Sequence, residues 1–116
     1  MSAWAWDARA TWAAVAGAAA AIALAVTAAS GQDGTALASQ GKRLFTEQGC
    51  YGCHTIGKAG TPIANDLSQV GSKYPESYLR RWLREPKQQK PRAHMPKIEM
   101  AEADARALAA YLASLR

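Results

Sequence analysis

Cys50, Tyr51, Gly52, Cys53 and His54 stand in the order C-x-x-C-H, two thiols three positions apart with an imidazole directly behind the second. Three chemistries use such donors. A dithiol redox site needs a βαβ setting, and no strand-like alternation precedes Cys50. A structural zinc site needs four ligands, and beyond these three side chains the sequence offers only the distant His94. The third chemistry is covalent haem attachment, for which this spacing is the known signal. Each thiol forms a thioether with one porphyrin vinyl group, and the adjacent histidine lies beneath the iron as an axial ligand. Gly49 and Gly52 relieve crowding where backbone must run close to the porphyrin edge. The pattern predicts one covalent haem c on Cys50 and Cys53, with His54 on the iron.

An electron-carrying haem iron takes a sixth ligand, and the downstream candidates are His94, Met95 and Met100. Met95 precedes Pro96 in the polar stretch KPRAHMPK, where a thioether has little other reason to occur. Met100 opens an amphipathic helix and reads as core. His94 reads as an exposed neighbour, with ligation by two histidines left open. A polarizable thioether favours reduced iron, so a His54 and Met95 pair would raise the reduction potential relative to two histidines.

Helices must hold these loops in place. Residues 36–48 form the first, with Leu37, Gly41, Leu44 and Phe45 on one side and Gly49 stopping it. Residues 75–85 form the second: Pro75 opens it, Leu79, Trp82 and Leu83 share a face, and Pro86 ends it. The last covers residues 101–115, with Leu108, Tyr111, Leu112 and Leu115 at helical spacing and Glu102 and Asp104 in a first turn that favours acids. The expected domain is all-α. Beyond residue 34 only 20 side chains are Val, Ile, Leu, Met, Phe, Trp or Tyr, a thin core that a bound porphyrin would complete.

The N-terminal part has another character. From Ala10 to Gln32 no residue is charged, a length sufficient to cross about 30 Å of hydrocarbon as a helix. Trp4, Trp6 and Trp12 lie just before or at its start, where indoles suit the headgroup level. Residues 1–34 therefore read as a membrane anchor, or alternatively a cleavable signal peptide, with Ser30 to Thr35 as a polar hinge. Either way residues 35–116 are expected on the outer, periplasmic side of a bacterial cytoplasmic membrane, tethered there or soluble after cleavage.

The 116 residues carry a net charge of +5. The excess concentrates between Lys73 and Ile98, which suits an acidic partner or an anionic surface. No basic and aromatic interleaving typical of a nucleic-acid platform is present, so no nucleic-acid partner is expected. The length excludes a multidomain enzyme or a Rossmann-type binder, and two cysteines exclude a disulfide framework.

With these motifs in hand, residues 36–116 resemble a small class I cytochrome c. The Gly41 and Phe45 pair resembles the family's helix-crossing residues, which pack against an aromatic and a leucine of the C-terminal helix, here Tyr111 with Leu112 or Leu108. CYGCH resembles the attachment motif, and Met95 with Pro96 the axial methionine loop. The stretch from Asp66 to Lys97 is similar to cytochrome c domains that are fused to, or serve, haem-copper oxidases and related respiratory complexes. The resemblance implies one-electron transfer through a His54/Met95-ligated haem, to or from a membrane respiratory complex or periplasmic redox enzyme, and no catalysis of the chain's own. The alternative is a ligand sensor or peroxidase-like haem protein with a displaceable sixth ligand. It further implies that Phe45, Pro62, Leu67, Tyr78, Trp82 and Pro96 pack in the haem pocket. Lys73, Arg80, Arg81, Arg84, Lys87, Lys90 and Lys97 would dock an acidic partner. Two departures stand out. Ala64 and Asn65 occupy the place of a Gly-Pro pair, so the carbonyl that orients His54 comes from Pro62 or from Asn65. Met100 and Ala101 replace an apolar residue and a capping Ser or Thr, at a cost of about 1 kcal/mol.

Overall fold

Helix α1 occupies residues 31–47 of the computed structural model, which describes residues 31–116. It starts earlier than the sequence predicts: the expected hinge is helical from residue 31 onward. Its glycines each cost only about 1 kcal/mol relative to alanine, and no proline interrupts the run, so a helix nucleated by the Leu37, Leu44 and Phe45 side extends backward through it. The expected anchor, with Trp4, Trp6 and Trp12, lies outside the described residues. Among the described residues no helix is long and apolar enough to cross a membrane.

At the other end Gly49 adopts φ 73°, the left-handed conformation that terminates helices. A single 3-10 turn, Cys50–Gly52, follows at once. The chain then departs from the all-α expectation with a small antiparallel hairpin, β1 (Thr55–Ile56) against β2 (Ala59–Gly60), paired Thr55 to Gly60 and Ile56 to Ala59. Gly57 and Gly60, at φ 60° and 99°, allow the reversal. The fold is mostly helical, with this hairpin as its one sheet among the described residues.

Four helices complete it: α2 (Val70–Lys73), α3 (Glu76–Arg84), α4 (Pro86–Gln89) and α5 (Glu102–Ser114). The sequence predicts α3 and α5 to within a residue or so. It misses α2 and α4, which are single turns. Pro75 sits at the N-cap of α3 with φ −71°, and Pro86 at the first turn of α4. Ala101 caps α5 without a side-chain hydrogen bond, as its residue type implies.

Gly34–Arg116 forms one packed unit. Its core is Phe45, Val70, Leu79, Leu83, Leu108, Ala109, Tyr111 and Leu112, drawn from α1, α2, α3 and α5. Two glycines permit close helix approach. A Cβ on Gly41 would overlap the carbonyl oxygen of Ala107 and come within 2.8 Å of Tyr111 Cβ, so α1 and α5 cross nearly backbone to backbone. Gly71 lies equally close to the Ala113 carbonyl, and its N–H donates to Leu115 O (2.8 Å), satisfying a carbonyl at the end of α5. Phe45 meets Tyr111 edge to face at 5.9 Å and Tyr51 at 4.7 Å. The second contact joins the core to the C-x-x-C-H segment.

Candidate functional site

The 3-10 turn is closed by main-chain bonds: Cys53 N–H and His54 N–H both donate to Cys50 O, at 3.2 and 3.0 Å. Both thiols are free, Cys50 half-buried and Cys53 exposed. Burial pushes the Cys50 thiol above its ordinary value, against one weaker main-chain hydrogen bond. An activated dithiol nucleophile needs the opposite shift. A Cβ on Gly52 would meet nothing within 4 Å, so the turn keeps an open flank.

His54 is held by the loop that follows the hairpin. Its Nδ1–H donates to Asn65 O at 2.8 Å. Of the two carbonyls left open by the sequence, the structure selects Asn65. Because a carbonyl only accepts, the proton is on Nδ1 and the Nε2 lone pair is left for a metal. The loop is laced to the motif: Thr61 N–H donates to Tyr51 O (2.9 Å), Ala64 N–H to Cys53 O (2.7 Å) and Leu67 N–H to Thr55 O (2.8 Å). Gly60 has no room for a side chain, since a Cβ would overlap the His54 carbonyl oxygen.

A network that sequence inspection missed reinforces this loop. Thr55 Oγ1 and Ser68 Oγ donate to Asp66 Oδ1, at 2.8 and 2.9 Å, and Gly57 N–H donates to Ser68 Oγ at 2.7 Å. Thr55 and Asp66 are 11 residues apart, with no local pattern to announce the pairing. The Thr55 hydrogen bond, then the Ser68 hydroxyl, with a smaller contribution from Lys73, hold the Asp66 carboxyl below its usual range. A depressed carboxyl stabilises the fold above its unfolded value of about 3.9 and loses that contribution as pH falls through its folded value. Asp66→Ala should therefore be less stable than wild type at neutral pH, and the gap should narrow as pH falls through the folded value of the Asp66 carboxyl. Thermal melts at pH 7, 4 and 2.5 test this; a gap independent of pH would refute it.

Met95 lies between α4 and α5, half-buried and packed against the core. Trp82 Nε1–H donates to its sulfur at 3.1 Å. Leu67 also packs on the core, whereas Pro62 and Pro96 are exposed. Tyr78 and Trp82 are half-buried and stacked at 6.2 Å. His94 is exposed. A concavity of about 400 Å³ between Glu85 and Lys97 includes His94, Met95 and Pro96 but none of Cys50, Cys53 or His54. It is a surface cleft beside the methionine loop and not a pocket shared by the two iron-ligand candidates.

The expected basic docking surface is less uniform than its sequence. Arg84 and Arg80 both pair with Glu102, the latter at 3.9 Å, and Lys97 pairs with Glu85 (2.8 Å) and Glu99 (3.6 Å). The fold brings α3 against the start of α5, which pairs Arg80 and Arg84 with Glu102, and with Lys97 three of the seven cations are partly neutralised within the chain. Lys73, Arg81, Lys87 and Lys90 form no ion pair among the described residues.

The donors present fit a covalently attached haem: two unbonded thiols on one turn, an imidazole with its Nε2 lone pair available, and a half-buried thioether. Among the described residues no three of His, Cys, Asp and Glu gather as metal ligands of their own. The family described as cytochrome c matches residues 38–116. Cytochrome c oxidase subunit 2 of Alkalihalophilus pseudofirmus is 37% identical over 89 residues, which covers 69% of this chain and 26% of the length of that protein. No solved structure gives a significant match.

Proposed function

This chain belongs to the cytochrome c family, whose domains transfer electrons and carry haem c covalently, and from that premise we propose that it is a one-electron carrier whose haem is bonded to Cys50 and Cys53 and ligated by His54 and Met95. The observation that carries the reading is the bond from His54 Nδ1 to Asn65 O on the turn that bears both thiols. A ligating imidazole needs such a partner on its other nitrogen to fix its orientation and raise its basicity. The bound haem supplies the one-electron couple. The protein orients the imidazole through Asn65 and offers the Met95 thioether, which packs against the core.

The partner we propose is a membrane respiratory complex of the oxidase class, approached as a subunit or a docking carrier. Similarity to an oxidase subunit 2 supports this. Residues 1–34 would tether the chain to the outer face of the cytoplasmic membrane, or direct its export before cleavage. Lys73, Arg81, Lys87 and Lys90 would supply the positive surface, the remaining predicted cations being engaged within the chain. Electron transfer to an acidic partner should then slow by about tenfold or more between low and high salt. Stopped-flow reduction measured across ionic strength reads this directly. A flat response would replace the steered carrier by a permanently bound subunit.

The reading as a whole is tested on the purified holoprotein. Its oxidised spectrum should contain the methionine-to-iron charge-transfer band at neutral pH, and its reduced form should not bind carbon monoxide rapidly. Absence of the band together with fast carbon monoxide binding would instead make the protein a ligand sensor or a peroxidase-like catalyst.

A further inference from the structure

We propose that the Glu85–Lys97 ion pair is a clasp that holds the Met95 segment to the corner between α3 and α4, which makes both side chains positioning residues for the thioether. This rests on the axial assignment of Met95 made above.

The segment from His94 to Met100 is built without main-chain support. The last main-chain bond before it runs from Ala93 N–H to Lys90 O (2.9 Å), and the next carbonyl to accept one is that of Ala101, which takes Asp104 N–H and Ala105 N–H. Among the described residues none from 94 to 100 enters a main-chain to main-chain hydrogen bond, and Pro96 has no N–H to give. Side chains therefore place the segment. Met95 and Met100 pack against the core, Met95 accepts from Trp82, and Lys97 Nζ reaches Glu85 Oε1 at 2.8 Å. The other contact of Lys97, with Glu99 at 3.6 Å, stays within the segment and anchors it to no helix.

The two ends of the pair differ in rigidity. Glu85 is at once the C-cap of α3 and the N-cap of α4, its N–H donates to Arg81 O at 3.0 Å, and Leu83 and Pro86 on either side of it are buried. Lys97 is borne by the unsupported segment. The helix corner thus fixes the carboxylate, and the carboxylate fixes the lysine. Lys97 stands two residues from Met95, at most about 7 Å of chain, and Pro96 between them locks one of the intervening torsions. Glu85, Met95, Pro96 and Lys97 all line one cleft. A constraint on Lys97 therefore reaches Met95 with little slack.

The Lys97 and Glu85 side chains are 52% and 39% exposed, and a pair so placed adds little to global stability. Its effect is local: it lowers the population in which the segment has swung outward and carried the sulfur with it. A competing ligand for the sixth position binds only that population, so its apparent affinity reports how often the clasp is open.

The probe is imidazole, titrated into the oxidised haem-loaded protein. Glu85→Gln and Lys97→Gln should each tighten its binding by about twofold to fivefold, the extent to which one exposed pair moves an equilibrium. Both substitutions together should do no more than either alone, because the second meets a pair already broken. Glu99→Gln, which alters only the contact inside the segment, should bind imidazole as wild type does, and the melting temperature should be nearly unchanged in all four variants. Wild-type affinity in the Glu85 and Lys97 variants, with or without a lowered melting temperature, overturns the proposal. Effects that add in the double variant, or a Glu99→Gln effect as large as that of Lys97→Gln, overturn it as well. Met95→Ala separates the two layers. If it keeps the methionine charge-transfer band, the axial assignment fails and this proposal with it. If it loses the band while the Glu85 and Lys97 variants bind imidazole as wild type does, only the clasp is lost.

Discussion

Met95→Ala should abolish the methionine-to-iron charge-transfer band completely, lower the reduction potential and open the reduced iron to carbon monoxide, whereas Met100→Ala should leave all three nearly unchanged. Burial alone does not separate the two residues, since both are half-buried and both pack against the core. Their settings do. Met100 stands one residue before Ala101, the N-cap of α5, where an apolar side chain seals a helix entry as core. Met95 lies between exposed His94 and exposed Pro96, and its sulfur is held by the Trp82 indole. An apolar residue in such a segment is retained for the chemistry of its sulfur more readily than for its packing. Truncation to alanine leaves no side chain in that loop position able to replace the thioether except His94. His94→Ala should accordingly leave the wild-type spectrum intact. Visible spectra of the three oxidised variants at neutral pH decide the matter, and the reverse pattern for Met95 and Met100 would move the axial ligand to Met100.

What the sequence reveals here follows from the range over which each feature is determined. The C-x-x-C-H turn is five consecutive residues, and its main-chain closure onto Cys50 O depends on nothing distant. Helices α3 and α5 are long enough for their apolar periodicity to show, and Leu79, Leu83, Leu108, Tyr111 and Leu112 are buried as that periodicity requires. Helices α2 and α4 have four residues each, about one turn, which displays no period. The hairpin strands have two residues each and show no alternation. Asn65 could not be separated from Pro62 because a main-chain carbonyl has no residue type to mark it. The ion pairs that Arg80 and Arg84 make with Glu102 form only when α3 lies against α5, so a count of charges along the chain overstates the free positive surface. Exposed pairs of this kind add about 0–1 kcal/mol to stability, and their larger effect is on which cations a partner can reach.

A Cys50→Ala/Cys53→Ala variant, which cannot attach haem covalently, should be largely unfolded at 25 °C, with its helical signal strongly reduced and no cooperative thermal transition. The core explains why. Its buried hydrophobic residues include Ala105, Ala107 and Ala109, which contribute little apolar area. The large ones are Phe45, Val70, Leu79, Leu83, Leu108, Tyr111 and Leu112. Fully burying a side chain of this class is worth about 1.5–3 kcal/mol, set against about 1–2 kcal/mol of backbone entropy for every residue ordered. A second set, Leu44, Tyr51, Ile56, Leu67, Met95 and Met100, packs against this core while remaining partly exposed. A porphyrin bonded to Cys50 and Cys53 offers these side chains the apolar surface that the protein itself supplies only in part. On the proposed ligation it would also tie the Cys50–Gly52 turn to the Met95 loop through the iron. Typical domains are stable by about 5–15 kcal/mol, and loss of both contributions should consume that margin. Circular dichroism and scanning calorimetry on the variant beside the holoprotein measure the outcome. A compact variant that melts cooperatively would show that the helices alone, through the Gly41 and Ala107 crossing and the Phe45 to Tyr111 contact, suffice for the fold.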